Sequence, residues 1–346
     1  MSAPARTETR TLTRSSPHEA VLEVRDLTVD YIGPDGAVTA CKDVTLSLRR
    51  GEILGIAGES GSGKSTLITA LTRLQRPPAA TTSGSITFHP RDGRAGIDLV
   101  GLSPRELRRL RWSTMSIVLQ SAMDALNPVM RLGDQFADVL RTHYRDLDRS
   151  GARDRTTELL AMVGISADRA RSFPHEMSGG MRQRATIALA LACEPELVVM
   201  DEPTTAVDVV MQRQILAQVL RLRRELGFAV VIVTHDLSLL LEVADRIAIM
   251  YAGRIVEVGT ASALYRDPAH PYTRGLRDSF PPLHAPLREL RGIPGTPPDL
   301  RRPPSGCPFH PRCPVRVEAC QSTLPALVPL PEQEAACLLL TSEENP

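Results

Sequence analysis

Aromatic residues are scarce: Phe, Tyr and Trp make up 3% of the 346 residues. So few rings exclude a protein built from stacking platforms for single-stranded nucleic acid. Net charge excludes a neighbouring class. The 41 Lys and Arg against 40 Asp and Glu leave a formal +1, too little to hold a polyanion through bulk charge. Long apolar runs are missing as well. The longest, around Leu197–Met200 and Val230–Val233, have the length of strands, against the roughly 20 residues that a bilayer-crossing helix needs. Residues 1–20 are rich in Thr, Arg and Ser without an apolar centre, and read as a disordered leader rather than a signal peptide. A cytosolic chain is expected, with any membrane attachment supplied by a partner. At 42% hydrophobic and 23% charged the composition is otherwise ordinary for a globular protein, long enough for one large or two modest domains.

Strand-length apolar runs alternate with helical patterns along the chain. Residues 21–30, Val44–Leu48, Ile53–Ala57, Ser85–Phe88, Ser116–Leu119, Leu197–Met200 and Ala229–Val233 read as strands. Ile247–Met250 and Arg254–Val258 read as a hairpin about Tyr251-Ala252-Gly253. Residues 77–84 are expected to form a linker. From Leu132 to about Gly164 apolar residues recur at helical spacing, and Met181–Leu191 and Met211–Leu226 are further helices. From about Asp267 proline becomes dense, and a boundary is placed between 260 and 275.

The chemistry begins at Gly58-Glu59-Ser60-Gly61-Ser62-Gly63-Lys64-Ser65, between the strand 53–57 and a helix running to Leu74. In that context a GxxxxGK[ST] match is a phosphate cradle. Ser60, Gly61, Ser62 and Gly63 bring backbone N–H groups to the phosphates. Lys64 reaches the β- and γ-phosphates, the Ser65 hydroxyl binds Mg²⁺ and Thr66 adds a contact. The strand 197–200 ends in Asp201-Glu202. Asp201 is placed for the Mg²⁺ shell, and Glu202 for orienting or deprotonating an attacking water. His235 ends the strand 229–233 and faces the ligand edge of a parallel sheet. Gln120, after the strand 116–119, stands at the same kind of edge, within reach of Mg²⁺ or water. Alone, each would as readily be a satisfied polar residue at a strand end. A second glycine pair opens a helix at Met177-Ser178-Gly179-Gly180-Met181, a second phosphate-binding helix start. One chain with two half-sites implies that two chains meet to complete each site.

Together, in this order and over residues 21–260, these motifs resemble the ATP-binding-cassette (ABC) transporter ATPases: Walker A at 58–65, the Q-loop at Gln120, the signature at Ser178-Gly179-Gly180-Met181, Walker B at 197–202, the D-loop at Ala206-Val207-Asp208 and the H-loop at His235. The resemblance implies an α/β P-loop NTPase fold with a RecA-like core, an antiparallel β subdomain and a helical signature subdomain at about 121–190, followed by a loop-rich extension. It places an adenine-stacking aromatic at Tyr31, for which a turn or core role remains the alternative. It implies a nucleotide-sandwich dimer in which Ser178, Gly179, Gly180 and Met181 close on the γ-phosphate held by the other chain's Lys64. The signature departs from the common pattern at Met177 and Met181, and the D-loop at Val207, without removing the serine or the glycines.

Gln120 through Pro128, Asp201 through Gln212, and His270-Pro-Tyr-Thr-Arg-Gly-Leu276 resemble the oligopeptide, dipeptide and nickel uptake branch. This implies a division into a leader (1–20), an ATPase domain (21–265) and a C-terminal domain (266–346). It also implies a cytoplasmic-face location, two transmembrane permease subunits, an extracytoplasmic substrate-binding protein and a second, related ATPase subunit, with no nucleic-acid partner. Nickel or another solute as cargo, or a soluble ABC ATPase of translation or DNA repair, are the alternatives; the latter lacks its usual second cassette here.

Six cysteines complete the inventory. Cys41 and Cys193 are isolated and expected as small buried hydrophobes. Cys307, Cys313, Cys320 and Cys337 share a Pro-rich tail that needs a staple. Disulfides are disfavoured in a reducing compartment, and zinc usually pairs its ligands at shorter spacing. A four-thiolate iron–sulfur cluster tolerates such spacing, and the resemblance implies a [4Fe–4S] site here, ahead of zinc.

Overall fold

The apolar runs of the central strands are continuous because both faces of one sheet are covered. The computed structural model describes residues 20–34, 36–120, 125–203, 208–279 and 292–340. The strands are β1 (Ala20–Gly33), β2 (Gly36–Arg49), β3 (Ile53–Ala57), β4 (Ala79–Phe88), β5 (Ile97–Asp98), β6 (Met115–Val118), β7 (Leu197–Asp201), β8 (Ala229–Val233), β9 (Arg246–Tyr251), β10 (Arg254–Thr260), β11 (Val328–Pro329) and β12 (Gln333–Ala335). The helices are α1 (Lys64–Leu71), α2 (Pro104–Leu110), α3 (Leu132–His143), α4 (Arg149–Met162), α5 (Gly179–Ala190), α6 (Val209–Leu226), α7 (Leu237–Val243), α8 (Ala261–Arg266) and α9 (Pro271–Asp278).

The larger sheet runs β11-β12-β10-β9-β3-β8-β7-β6, and its central members β9, β3, β8, β7 and β6 pair in parallel. Because side chains alternate along a strand, each run feeds two cores. Val198 and Met200 of β7 and Val230 and Ile232 of β8 join the cluster shared with the helices α3, α4 and α5. Leu197, Val199, Val231 and Val233 join the cluster beneath the antiparallel sheet β2-β1-β4-β5.

Three sequence expectations change, and one is filled in. Residues 77–84 are not a linker, since β4 begins at Ala79 and pairs along β1 from Tyr31↔Ala79 to Leu22↔Phe88. Pro77-Pro78 conceals a β-branched segment (Thr81, Thr82, Ile86, Thr87) that completes the open edge of β1. Ala20 belongs to β1 rather than to the leader, and residues 1–19 lie outside the described residues. The helical run expected at 132–164 is helical, and it is made of two helices. α3 stops with Tyr144, and Asp148 restarts the helix by accepting the Gly151 N–H at 2.8 Å. The tail, finally, is not appended beyond the sheet: β12 pairs with β10 (Glu257↔Ala335), so residues past the expected boundary extend the main sheet. Among the described residues no helix is long and apolar enough to cross a membrane.

Candidate nucleotide site

Four parallel strands end at one edge, and each leads into polar residues of the site. β3 runs into the loop 58–63, β6 into Leu119-Gln120, β7 closes on Asp201-Glu202 and β8 on Thr234-His235. This carboxyl edge is where open α/β sheets bind ligands. α1 starts at Gly63 in a left-handed conformation (φ 103°) with no side-chain cap, leaving its first N–H groups to a ligand. A Cβ at Gly63 would lie 2.4 Å from the Ala40 carbonyl oxygen, so the cradle is built of backbone alone and fits a phosphate chain. Lys64 is buried. Its Nζ donates to the carbonyls of Gly58 (2.7 Å) and Glu59 (2.8 Å), with Ser62 Oγ at 3.5 Å. Burial pulls the Lys64 pKa below its ordinary value, against Glu202, Asp201 and Glu59, which pull it back up. Burial likewise raises the Asp201 carboxyl, helped by Glu202 and opposed by Lys64. The resulting low-dielectric pair is suited to a metal–phosphate complex.

The structure brings Glu202, Gln120 and His235 together. Gln120 Nε2 donates to Glu202 Oε2 at 2.8 Å, and His235 Nδ1 lies 3.1 Å from Oε1. Glu202 adopts φ +46°, a left-handed conformation uncommon outside glycine and concentrated at functional sites. Its N–H still completes the ladder to Val233 O at 2.8 Å, so the turn redirects the side chain without loosening the strand. Tyr31, on β1, is 39% exposed, and its hydroxyl lies 3.2 Å from Thr66 Oγ1. Its ring therefore stands at the rim of the phosphate helix rather than in the core. Ser60, Gly61 and Ser65 are exposed along the loop, and Ser62 and Thr66 are buried.

The signature lies on another element. Ser178 is exposed and caps α5, its Oγ accepting the Met181 N–H at 3.3 Å, with Gly179 half-buried and Gly180 packed on Met211 of α6. Asp208 caps α6 by accepting the Met211 N–H at 2.9 Å. Ala206 and Val207 of the expected D-loop lie outside the described residues.

The six cysteines are of two kinds, four in the tail and two, Cys41 and Cys193, outside it. Those two are buried as expected, and all six are free thiols. Among the described residues no three His, Cys, Asp or Glu side chains stand close enough to hold a metal ion, so Cys307, Cys313, Cys320 and Cys337 are not drawn into a finished ligand set. They do sense one another. Burial pushes Cys307 up to about 11, opposed by the Phe309 N–H and reinforced by the other three thiols. Burial also raises Cys313 and Cys337, opposed by the N–H groups of Val315 and of Leu339 respectively.

Sequence reasoning missed several residues. Gln183 of α5 is buried and donates to the Pro203 carbonyl, tying the signature helix to the end of Walker B. Tyr272 and Arg312 bond Glu59 in the phosphate loop. Tyr272 carried a signal, the His-Pro-Tyr run at 270–272, taken only as a branch marker. Arg312 carried none.

Solved structures with this arrangement are ATP-binding cassettes. The dimeric structure of MJ0796, a bacterial ABC transporter cassette, matches with a TM-score of 0.61 at 29% identity, over 69% of this chain and 98% of that one. Its post-hydrolysis state bound to ADP and Pi also matches with a TM-score of 0.61, at 28% identity over the same shares. Residues 41–205 match the ABC transporter family model, and residues 256–320 match the model of the oligopeptide/dipeptide transporter C-terminal region. The oligopeptide transport ATP-binding protein OppD of Salmonella typhimurium is 42% identical over 323 residues, 93% of this chain and 94% of that protein. The dipeptide transport ATP-binding protein DppD of Bacillus subtilis is 42% identical over 310 residues, 89% and 90% of the two chains. The chain belongs to this family of ABC transporter ATP-binding proteins, and it is an ATPase.

Proposed function

We propose that the chain is the energy-coupling subunit of an ABC importer for di- or oligopeptides. It would work at the cytoplasmic face with two transmembrane permeases, an extracytoplasmic substrate-binding protein and a second, related ATPase chain. The observation that carries the reading is the placement of Glu202 between Gln120 and His235, at the edge where Lys64 and Asp201 also converge. The peptide cargo rests on what the relatives OppD and DppD transport, with nickel or another small solute as the competing cargo.

In this reading Ser65, Gln120 and Asp201 hold Mg²⁺, which when bound neutralises phosphate charge. Lys64 and the loop N–H groups orient the phosphates, and Tyr31 stacks on the base. Glu202 accepts a proton from the attacking water, while Gln120 and His235 fix its two oxygens. Ser178, Gly179, Gly180 and Met181 serve the partner's site, and Asp208 sets the entry of α6 beside them. The division at 266 is functional rather than a fold boundary, because the sheet crosses it. The test is hydrolysis by the purified chain with and without the two permeases and a peptide-loaded binding protein. Stimulation by peptide supports the reading. Turnover indifferent to these components, or coupled to nickel alone, overturns it.

For the tail the proposed ligand is a [4Fe–4S] cluster with a structural role, and zinc is the runner-up. The ground is the four-thiol set itself, with three of its members each facing a backbone N–H two residues onward, donors suited to a metal-bound sulfur. Burial raises the pKa of these thiols, so the metal would have to displace their protons. Loading would have to gather the sulfurs. Iron and sulfide with visible absorbance after anaerobic purification support the cluster; zinc without iron overturns it.

A further inference from the structure

Glu59 lies inside the phosphate loop, yet its partners come from the far end of the chain. Its N–H donates to Tyr272 Oη at 2.8 Å. Its carboxylate oxygens take Arg312 Nη1 at 2.6 Å and Nη2 at 2.9 Å. With the Arg312 side chain 5% exposed and that of Glu59 26%, this is a sheltered, bidentate, charge-assisted pair. Arg312 is itself held in place: Nε donates to Pro294 O at 2.8 Å, and Nη1 meets Tyr251 Oη at 3.3 Å. Tyr272 is held through Glu257, fully buried, whose oxygens accept the N–H groups of Ala269 (2.6 Å) and His270 (3.1 Å). His270 Nδ1 then accepts the Tyr272 N–H at 3.0 Å. The same region walls the site. A cavity of about 420 Å³ opens between Gly58, Glu59 and His235 on one side and Leu276, Ile293 and Pro297 on the other.

We propose that Arg312 is a positioning residue of the nucleotide site, fixing Glu59 and, through its peptide unit, the backbone carbonyls that aim Lys64. The carbonyls of Gly58 and Glu59 are the two that take Lys64 Nζ, so a shift of Glu59 moves the lysine directly. Arg312 also neutralises a carboxylate carried within the phosphate loop itself. The proposal rests on the ATP-binding reading above.

The test is calorimetric titration of the full chain with Mg²⁺ and ADP, alongside KM and kcat for ATP. Arg312→Gln is expected to raise the ADP Kd about tenfold and KM similarly, with kcat changed less than about twofold, because Gln120, Glu202 and His235 are untouched. Arg312→Lys keeps the charge but loses the fork, and falls between. Glu59→Gln weakens binding less. The Glu59→Gln/Arg312→Gln double variant binds no worse than Arg312→Gln alone, the signature of one coupled pair. Arg246→Gln, which breaks the similarly sheltered Arg246–Glu52 pair (3.2 Å) away from the loop, is the structural control: it lowers the unfolding midpoint and leaves Kd unchanged. An unchanged Kd in Arg312→Gln, multiplicative effects in the double variant, or an equal Kd loss in Arg246→Gln overturns the proposal. Wild-type chain that binds no ADP overturns the ATP-binding reading beneath it.

Discussion

Two helices in this chain open on glycine, and they are built for opposite tasks. α1 begins at a left-handed Gly63 without a side-chain cap, with Ser62, Lys64 and Thr66 buried around it. α5 begins at an exposed Ser178 whose own hydroxyl caps the helix. The first helix leaves its N–H groups uncapped and withdraws its lysine from water, so it can surround a ligand. The second caps itself and presents an exposed serine, as the proposed role of completing a partner's site requires. Glycine plus helix start therefore does not define a phosphate cradle; burial and the absence of a cap do. The glycines differ in the same sense. At Gly63 a Cβ would strike backbone, Ala40 O at 2.4 Å, at a φ of 103°, whereas at Gly180 it would meet the flexible Met211 side chain, nearest at Sδ 2.6 Å.

The largest expected effect breaks the first helix start. Gly63→Ala must move backbone and hold a strained φ, and should abolish nucleotide binding by calorimetry. Gly180→Ala needs only a rotamer change at Met211, so its nucleotide Kd should stay within about twofold of the wild type. Equal losses in the two variants would erase the distinction drawn between the helices.

The second effect concerns which chain each start serves. Ser178→Ala removes a cap, a local cost of about 1 kcal/mol, and should leave the chain's own ADP affinity unchanged while lowering dimer hydrolysis about a hundredfold. The arrangement is tested by mixing. When Lys64→Ala and Ser178→Ala are on different chains of a dimer, one site is intact and about half the activity remains. When both are on one chain paired with wild type, both sites are broken. The reverse result would place Ser178 at its own chain's phosphates.

How much of this was legible depended on distance along the chain. Gln120, Asp201, Glu202 and His235 could be read because each directly ends an apolar run, and a run's end is a local signal. Lys64 could be read because its glycines, Gly58, Gly61 and Gly63, lie in one short stretch beside it. β4 was hidden behind Pro77-Pro78, because β1's need for a partner is a tertiary fact. Arg312 stands 253 positions from Glu59 and Tyr272 stands 213, and no periodicity connects them. The cysteine spacing was legible as a set, but spacing alone does not say whether the sulfurs meet, and among the described residues they are not gathered.

The smallest effect sharpens the comparison by asking what holds the first helix start from behind. His270 caps α9, which carries Tyr272 to the Glu59 N–H. Burial, with a lesser push from Arg274, drives the His270 pKa from its ordinary 6.5 down to about 3. The unfolded chain takes up a proton below pH 6.5 that the folded chain refuses, so this contribution to stability is complete above pH 6.5 and drains as pH falls toward 3. His270→Asn keeps a capping acceptor and removes the titration. The urea midpoint of the wild type should therefore fall more steeply than that of His270→Asn between pH 6.5 and 4, with the two curves parallel above pH 7. Curves that stay parallel through the acid range would show that the anchor behind the phosphate loop tolerates charge, and that an uncharged His270 is not what seats Tyr272.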